Sequence, residues 1–309
     1  MIKGTCGENL TWTLDDGTLI ISGNGQMNDC QNFSEVTGES IKQLIVEEGA
    51  TSIGSFAFSF CADLKRVTLP DSLSKICTGA FNFCESLSEI KIPANVIAIG
   101  KSAFCGCWSL TNIILPEKLS ELGDNVFSNC ASLQAIKIPA GVRELGVDIF
   151  KGCESLTSVT LSDGLAKICA GAFEVCESLT EIKIPDSVTE IGDNIFNGCT
   201  RLEKIYYRAG SGFEDKLSMG NKAQLIPIDA EKTISYLSKN VFWSLDNGTL
   251  IIKKNPAAPA DADFSTGCGM WQVVEKNITG IKIERGVIPD KSFFEWFYQQ
   301  SQCNQLFFF

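Results

Sequence analysis

Fourteen cysteines and not one histidine are the chemically loudest features of this 309-residue chain. Without histidine the commonest general base is missing, and with it the Ser-His and Cys-His dyads and most catalytic zinc sites. A cysteine nucleophile would then need another base or a depressed pKa. Zinc needs four convergent ligands; Cys105 and Cys107 are the closest pair, and no second pair completes a set. No phosphate-cradling glycine loop, calcium loop or paired-carboxylate motif stands at usable spacing. Asn9, Asn32, Asn247 and Asn277 head glycosylation sequons, which random occurrence explains. The expectation is a chain without catalytic residues, metal or cofactor.

The cysteines are ordered by something other than chemistry. Cys61, Cys84, Cys107, Cys130, Cys153, Cys176 and Cys199 recur every 23 residues. Three residues before each stands a phenylalanine: Phe58, Phe81, Phe104, Phe127, Phe150, Phe173 and Phe196. Three residues after each stands Leu64, Leu87, Leu110, Leu133, Leu156, Leu179 or Leu202. A fixed period of this length marks a stacked-coil architecture. An even cysteine count invites a disulfide scaffold, but half of these thiols share one structural column. Stacked coils lie about 4.8 Å apart, and thiols pointing the same way suit a bridge poorly. The column cysteines therefore read as reduced, buried packing residues. Cys6, Cys30, Cys268 and Cys303 lie outside the column, and a Cys6–Cys30 bridge stays open.

One coil, from Leu87 to Leu110, states what must position these columns. Ile90 and Ile92 alternate with Glu89 and Lys91, a short strand with one buried face. Pro93 ends it, Val96 and Ile99 return inward, and Gly100 is expected to turn the chain at positive φ. Ala103, Phe104, Cys107 and Leu110 then follow at the spacing of a short 3₁₀ or α-helical turn. Proline recurs at 70, 93, 116, 139 and 185, which excludes a long helix. The predicted fold is a right-handed solenoid of 23-residue coils, with short parallel strands on one side and short 3₁₀/α turns on the other.

The ends break the period. Residues 1–43 contain Leu10 to Ser22, two strands joined by an Asp-Gly turn, a hairpin placed to cap the stack. Residues 44–207 form the seven-coil array, and the polar, glycine-rich residues 208–232 close it. Within 233–309 the hairpin returns as Val241 to Lys253, followed by one degenerate coil in which Ile281–Gly286 echoes Leu44–Gly49 and Cys303–Leu306 echoes Cys61–Leu64.

A net charge of −11 argues against nucleic acid, which demands clustered Lys and Arg. No apolar run reaches the roughly 18 residues of a membrane span. Met1-Ile2-Lys3-Gly4 lacks an apolar leader, which fits either a cytoplasmic chain or one whose leader has been removed.

The unit Leu-x-x-Ile-x-Ile-Pro-x-x-Val-x-x-Ile-Gly-x-x-Ala-Phe-x-x-Cys-x-x-Leu resembles the BspA-like leucine-rich repeat over about residues 44–207. Cys6 to Leu19 is similar to that family's N-terminal cap, and Tyr207–Ser211 with Gly220-Asn221 and Leu225 to the segment closing many of its arrays. The resemblance implies a leucine-rich-repeat solenoid with hairpin caps in a bacterial surface-exposed or secreted protein, some of whose relatives are adhesins. It carries over no catalytic residue. The asparagine ladder of ordinary leucine-rich repeats is absent: only Asn95 stands among Ser72, Lys118, Gly141, Gly164 and Ser187.

Any ligand must then be met by the outward strand positions, which a solenoid aligns in rows. One row reads Thr68, Lys91, Ile114, Lys137, Thr160, Lys183 and Tyr206; beside it run Arg66, Glu89, Asn112, Ala135, Ser158, Glu181 and Lys204. A basic row on an acidic chain reads as a contact face for another protein, host or bacterial, and equally as an ordinary solvated sheet surface. A glycan would want exposed aromatics, of which the rows offer only Tyr206, and a spacer without a ligand would show an evenly charged face. Trp108 reads equally as an exposed anchor or as packing filler.

Overall fold

The computed structural model describes residues 1–228 apart from Glu39, and beyond them the backbone of five short strands. The chain divides into two compact units, Met1–Pro227 and Ile228–Phe309.

In the first unit, strands β1 (Ile2–Thr5), β2 (Asn9–Asp15) and β3 (Thr18–Gln26) form an antiparallel sheet. Asp16 and Gly17, both at positive φ, make the tight turn between β2 and β3, the geometry that matches the twist of a hairpin. A short helix α1 (Phe33–Thr37), capped by the Asn32 side chain, leads to β4 (Gln43–Val46), which pairs in parallel with β3. From there the coils repeat. Strands at 66–68, 89–91, 112–114, 135–137, 158–160, 181–183 and 204–208 line one side of the molecule. Their parallel registers step by whole coils, as in Asn112 opposite Glu89 and Ala135 opposite Ser158. A second parallel ladder runs through the two-residue strands that follow each proline, for example Lys75–Ala98–Glu121.

The core is a column of rings. Phe58, Phe81, Phe104, Phe127, Phe150, Phe173 and Phe196 are fully buried and stack with centroids 5.4–5.9 Å apart. Phe33 of α1 extends the column by one ring at 5.1 Å, and Trp12 of β2 closes its end edge-on. The cap is thus built into the core and is not simply laid over it. Beyond the stack, a helix α2 (Glu214–Ser218) buries Leu217, and the strand at 224–228 joins the strand at 204–208.

Two expectations need correction. The segment carrying Phe and Cys is neither a 3₁₀ nor an α-helix. Along it the amides alternate: Phe56, Phe58 and Phe60 donate to Thr78, Ala80 and Asn82 of the next coil, while Ala57, Ser59 and Cys61 donate three residues back. A 3₁₀ helix would send every amide to the residue three before it; here half of them form a third inter-coil ladder. Secondly, Gly100 is not at positive φ. It supplies room, since a Cβ there would lie 2.6 Å from the Thr78 nitrogen. The left-handed residues are instead those two before and two after each phenylalanine, such as Phe56 and Phe60, Asn125 and Asn129, or Gly171 and Val175.

In the second unit, Trp243 pairs with Ile252 and Leu245 with Leu250, the registers in which Trp12 faces Ile21 and Leu14 faces Leu19. Thr249–Lys254 then pairs in parallel with Gly280–Ile283, as β3 does with β4. Leu306 faces Ile281 where Val67 faces Leu44, so the echo of Cys61–Leu64 in Cys303–Leu306 is offset by three positions. Cys268 and Cys303 lie outside the described residues.

Candidate functional site

The cysteine column can be judged first, because it carries the most nucleophilic atoms. Cys84, Cys107, Cys130, Cys153, Cys176 and Cys199 are buried, and each thiol donates to the carbonyl of the preceding coil's phenylalanine at 3.0–3.2 Å. Each such carbonyl also accepts the amide of its own coil's cysteine, as Phe58 O does from Cys61 N. The thiol therefore fills the second lone pair of a buried carbonyl, which water cannot reach. Burial pushes the Cys61 and Cys199 thiols up to about 12 and the rest of the column upward as well. Cys77 and Cys105, half-buried, are also raised by desolvation. Thiols held neutral in this way are poor nucleophiles. Cys6 and Cys30 are both free. Among the described residues no three His, Cys, Asp or Glu side chains converge on a point that could hold a metal ion. Nor, among these described residues, is any helix long and apolar enough to cross a membrane.

The strand side brings the two rows together as alternation requires. Arg66, Thr68, Lys91, Lys137, Thr160 and Lys183 are exposed, Ile90, Ile113, Ile136 and Ile182 between the rows are buried, and Tyr206 is half-buried. Lys137 reaches Glu117 at 3.1 Å, with both side chains largely in solvent, a contact of small energetic weight. Ile114 is the exception on this face: it is 73 % exposed in the middle of the sheet. Shallow depressions of about 370 and 380 Å³ lie to either side of it and share Asn112 and Ile114. A larger depression of about 560 Å³ crosses the second ladder. Its floor includes Gly100, Gly123 and Gly146, and its walls carry both Lys101 and Arg143 and both Asp124 and Glu144. Mixed charge of that kind gives no field favouring an ion of either sign.

A second surface was not foreseen. On the turn side of the first coils Phe60 is 61 % exposed, Trp108 46 % and Phe56 41 %. Phe60 stacks on Phe83 at 5.2 Å, and Trp108 meets Phe83 edge-on at 6.4 Å, so Trp108 packs and is exposed at once. A signal was present in the sequence: the column containing Phe60 and Phe83 continues as Gly106, Asn129, Gly152, Val175 and Gly198. Aromatics there are an anomaly that a reading focused on the inward columns passes over.

Three parallel inter-coil ladders, one continuous aromatic core and a hairpin that donates its tryptophan to that core define a capped parallel β-solenoid. The family model described as BspA type leucine rich repeat region matches in six copies over residues 31–156 and 120–251, and the chain belongs to that family. No curated protein matches it. Among solved structures it is similar to a leucine rich repeat protein of T. pallidum, at 24 % identity and a TM-score of 0.48, covering 72 % of this chain and 99 % of that one. It is also similar to a leucine rich cell surface protein of Faecalibacterium prausnitzii, at 22 % identity and a TM-score of 0.46, covering 94 % and 72 %. A leucine-rich repeat protein of Eubacterium ventriosum follows at 21 % identity and a TM-score of 0.43, covering 68 % and 73 %.

Proposed function

We propose that the chain is a non-enzymatic protein-binding module of a bacterial surface or secreted protein, and that it engages its partner through the strand side. The observation that carries this reading is Ile114. A large apolar side chain 73 % exposed at the centre of a sheet has no packing role, and an apolar centre within a polar rim is the anatomy of a protein contact. Lys91 and Lys137 flank it in the row and Lys183 continues the row three coils on, positive charge on a chain whose net charge is −11. The partner that fits is an acidic protein surface bearing an apolar side chain, on a host cell or another bacterium. The extracellular or surface location is supported by family membership, in keeping with the cell-surface description of the F. prausnitzii relative. A featureless spacer would not carry Ile114, and on this face a glycan would find only the half-buried Tyr206.

The test is retention of a partner from host-cell or bacterial surface extracts. Reversing charge at Lys91, Lys137 and Lys183 should abolish capture, and Ile114→Ala alone should weaken it by about tenfold or more, the loss of a contact worth at least 1.4 kcal/mol. Unchanged capture by both variants would place the contact elsewhere.

A further inference from the structure

Phe56, Phe60 and Phe83 occupy left-handed backbone positions, with φ of 58°, 63° and 54°. A side chain with a bulky Cβ substituent is poorly suited to that region, and glycine, asparagine or aspartate is the usual occupant. In the later coils the same columns are mostly Gly, Asn or Asp, as at Asn125, Asn129, Asp148 and Gly152, with Ser102 and Val175 the exceptions. Burial repays little of that strain at Phe60, which among the described residues is the most exposed large apolar side chain after Met1 and Ile114. Phe60 stacks on Phe83 on one side and keeps most of its surface open, and an exposed ring held on a strained backbone points toward function.

The open side of Phe60 borders a depression of about 260 Å³ whose other walls include Ser34, Ser40 and Asp63. Ser40 Oγ donates to Asp63 Oδ2 at 2.5 Å, which orients the carboxylate. An aromatic surface beside hydroxyls and a carboxylate suits a ligand with one apolar face and a rim of hydroxyl groups. A protein hot spot would instead be depleted of charge at its centre.

We propose that this ledge, formed by Phe60 with Ser34, Ser40 and Asp63 and with the Phe60 ring backed by Phe83, is a binding site for a neutral saccharide. The C–H face of a sugar ring lies against the aromatic edge and its hydroxyls donate to Asp63. The Asp63 carboxylate and the net charge of −11 select against acidic sugars. This site is on different residues from the strand face and stands or falls separately from it.

The experiment is affinity electrophoresis of the whole chain through gels containing neutral polysaccharides (a starch glucan, a galactomannan and a xyloglucan), with polygalacturonate as the anionic counterpart. Retardation is expected in at least one neutral gel and not in polygalacturonate. Phe60→Asn and Asp63→Asn should each weaken it by about tenfold, equivalent to one good contact. Phe60→Asn should meanwhile leave Tm equal or higher, because asparagine suits the left-handed backbone. No retardation in any neutral gel, retardation in polygalacturonate alone, or retention unchanged in Phe60→Asn would each overturn the proposal. So would a lowered Tm in Phe60→Asn, which would make the ring a packing residue, or binding of an apolar dye at Phe60 without any polysaccharide, which would make the ledge a protein contact.

Discussion

Cysteine suits its column for two physical reasons that act together. It is small enough to stack at the spacing of adjacent coils, and its thiol donates to the phenylalanine carbonyl of the preceding coil, as Cys130 Sγ does to Phe104 O at 3.2 Å. The neutral form is therefore the one that fits. Its pKa in the folded chain lies above the ordinary thiol value, so the associated stability is fully present below about 9. It is lost as pH rises from there toward about 12, where Cys61 and Cys199 ionise in place. In that window the unfolded chain releases protons that the folded chain retains, at about 1.4 kcal/mol per thiol per pH unit. Stability measured in urea should accordingly fall steeply above pH 9 and change little between pH 7 and 8. Val175 is the other instructive residue. It is β-branched at φ 60°, a conformation that costs about 1–2 kcal/mol. Val175→Asn should raise unfolding stability by about 1 kcal/mol, and a fall would mean that its packing against the Gly198 backbone outweighs the strain.

Each element here is short, and none would be stable alone; strands of two or three residues hold because three ladders repeat them in every coil. Cooperation between coils passes through the ring stack. Phe127→Ala, mid-stack between Phe104 and Phe150, should cost about 3–5 kcal/mol through the cavity it leaves, measured by chemical denaturation. The alternating amides explain why no helix forms in this segment although its apolar spacing fits one. A helix would keep its hydrogen bonds within the coil, and the chain exchanges half of them for bonds to its neighbour. The strained columns at Phe56 and Phe60 are the backbone consequence of that alternation.

At the scale of the molecule, the first unit contains its own cap, its full ring stack and a closing helix with Leu217 buried. Met1–Pro227 expressed alone should therefore fold and unfold in one cooperative transition by circular dichroism. A broad or multi-step transition would mean that the remaining residues contribute to its stability. The two candidate surfaces, strand face and aromatic ledge, both belong to this unit, so the isolated piece should keep the binding behaviour of the whole chain.

The inward columns, the hairpin with its Asp-Gly turn and the coil length were legible in the chain itself, because burial imposes the same residue at the same place in every coil. Phe33 escaped because it arrives 25 residues before Phe58, off the period. The Cys-to-carbonyl ladder, the room made by Gly100 and the left-handed positions around each phenylalanine were decided only by the tertiary structure. They depend on which backbone atoms of adjacent coils meet, and no single coil contains that information. The outside of the molecule is least periodic of all. Phe60 was marked by its column, but its exposure and that of Ile114 emerge only once the coil path is known among the described residues.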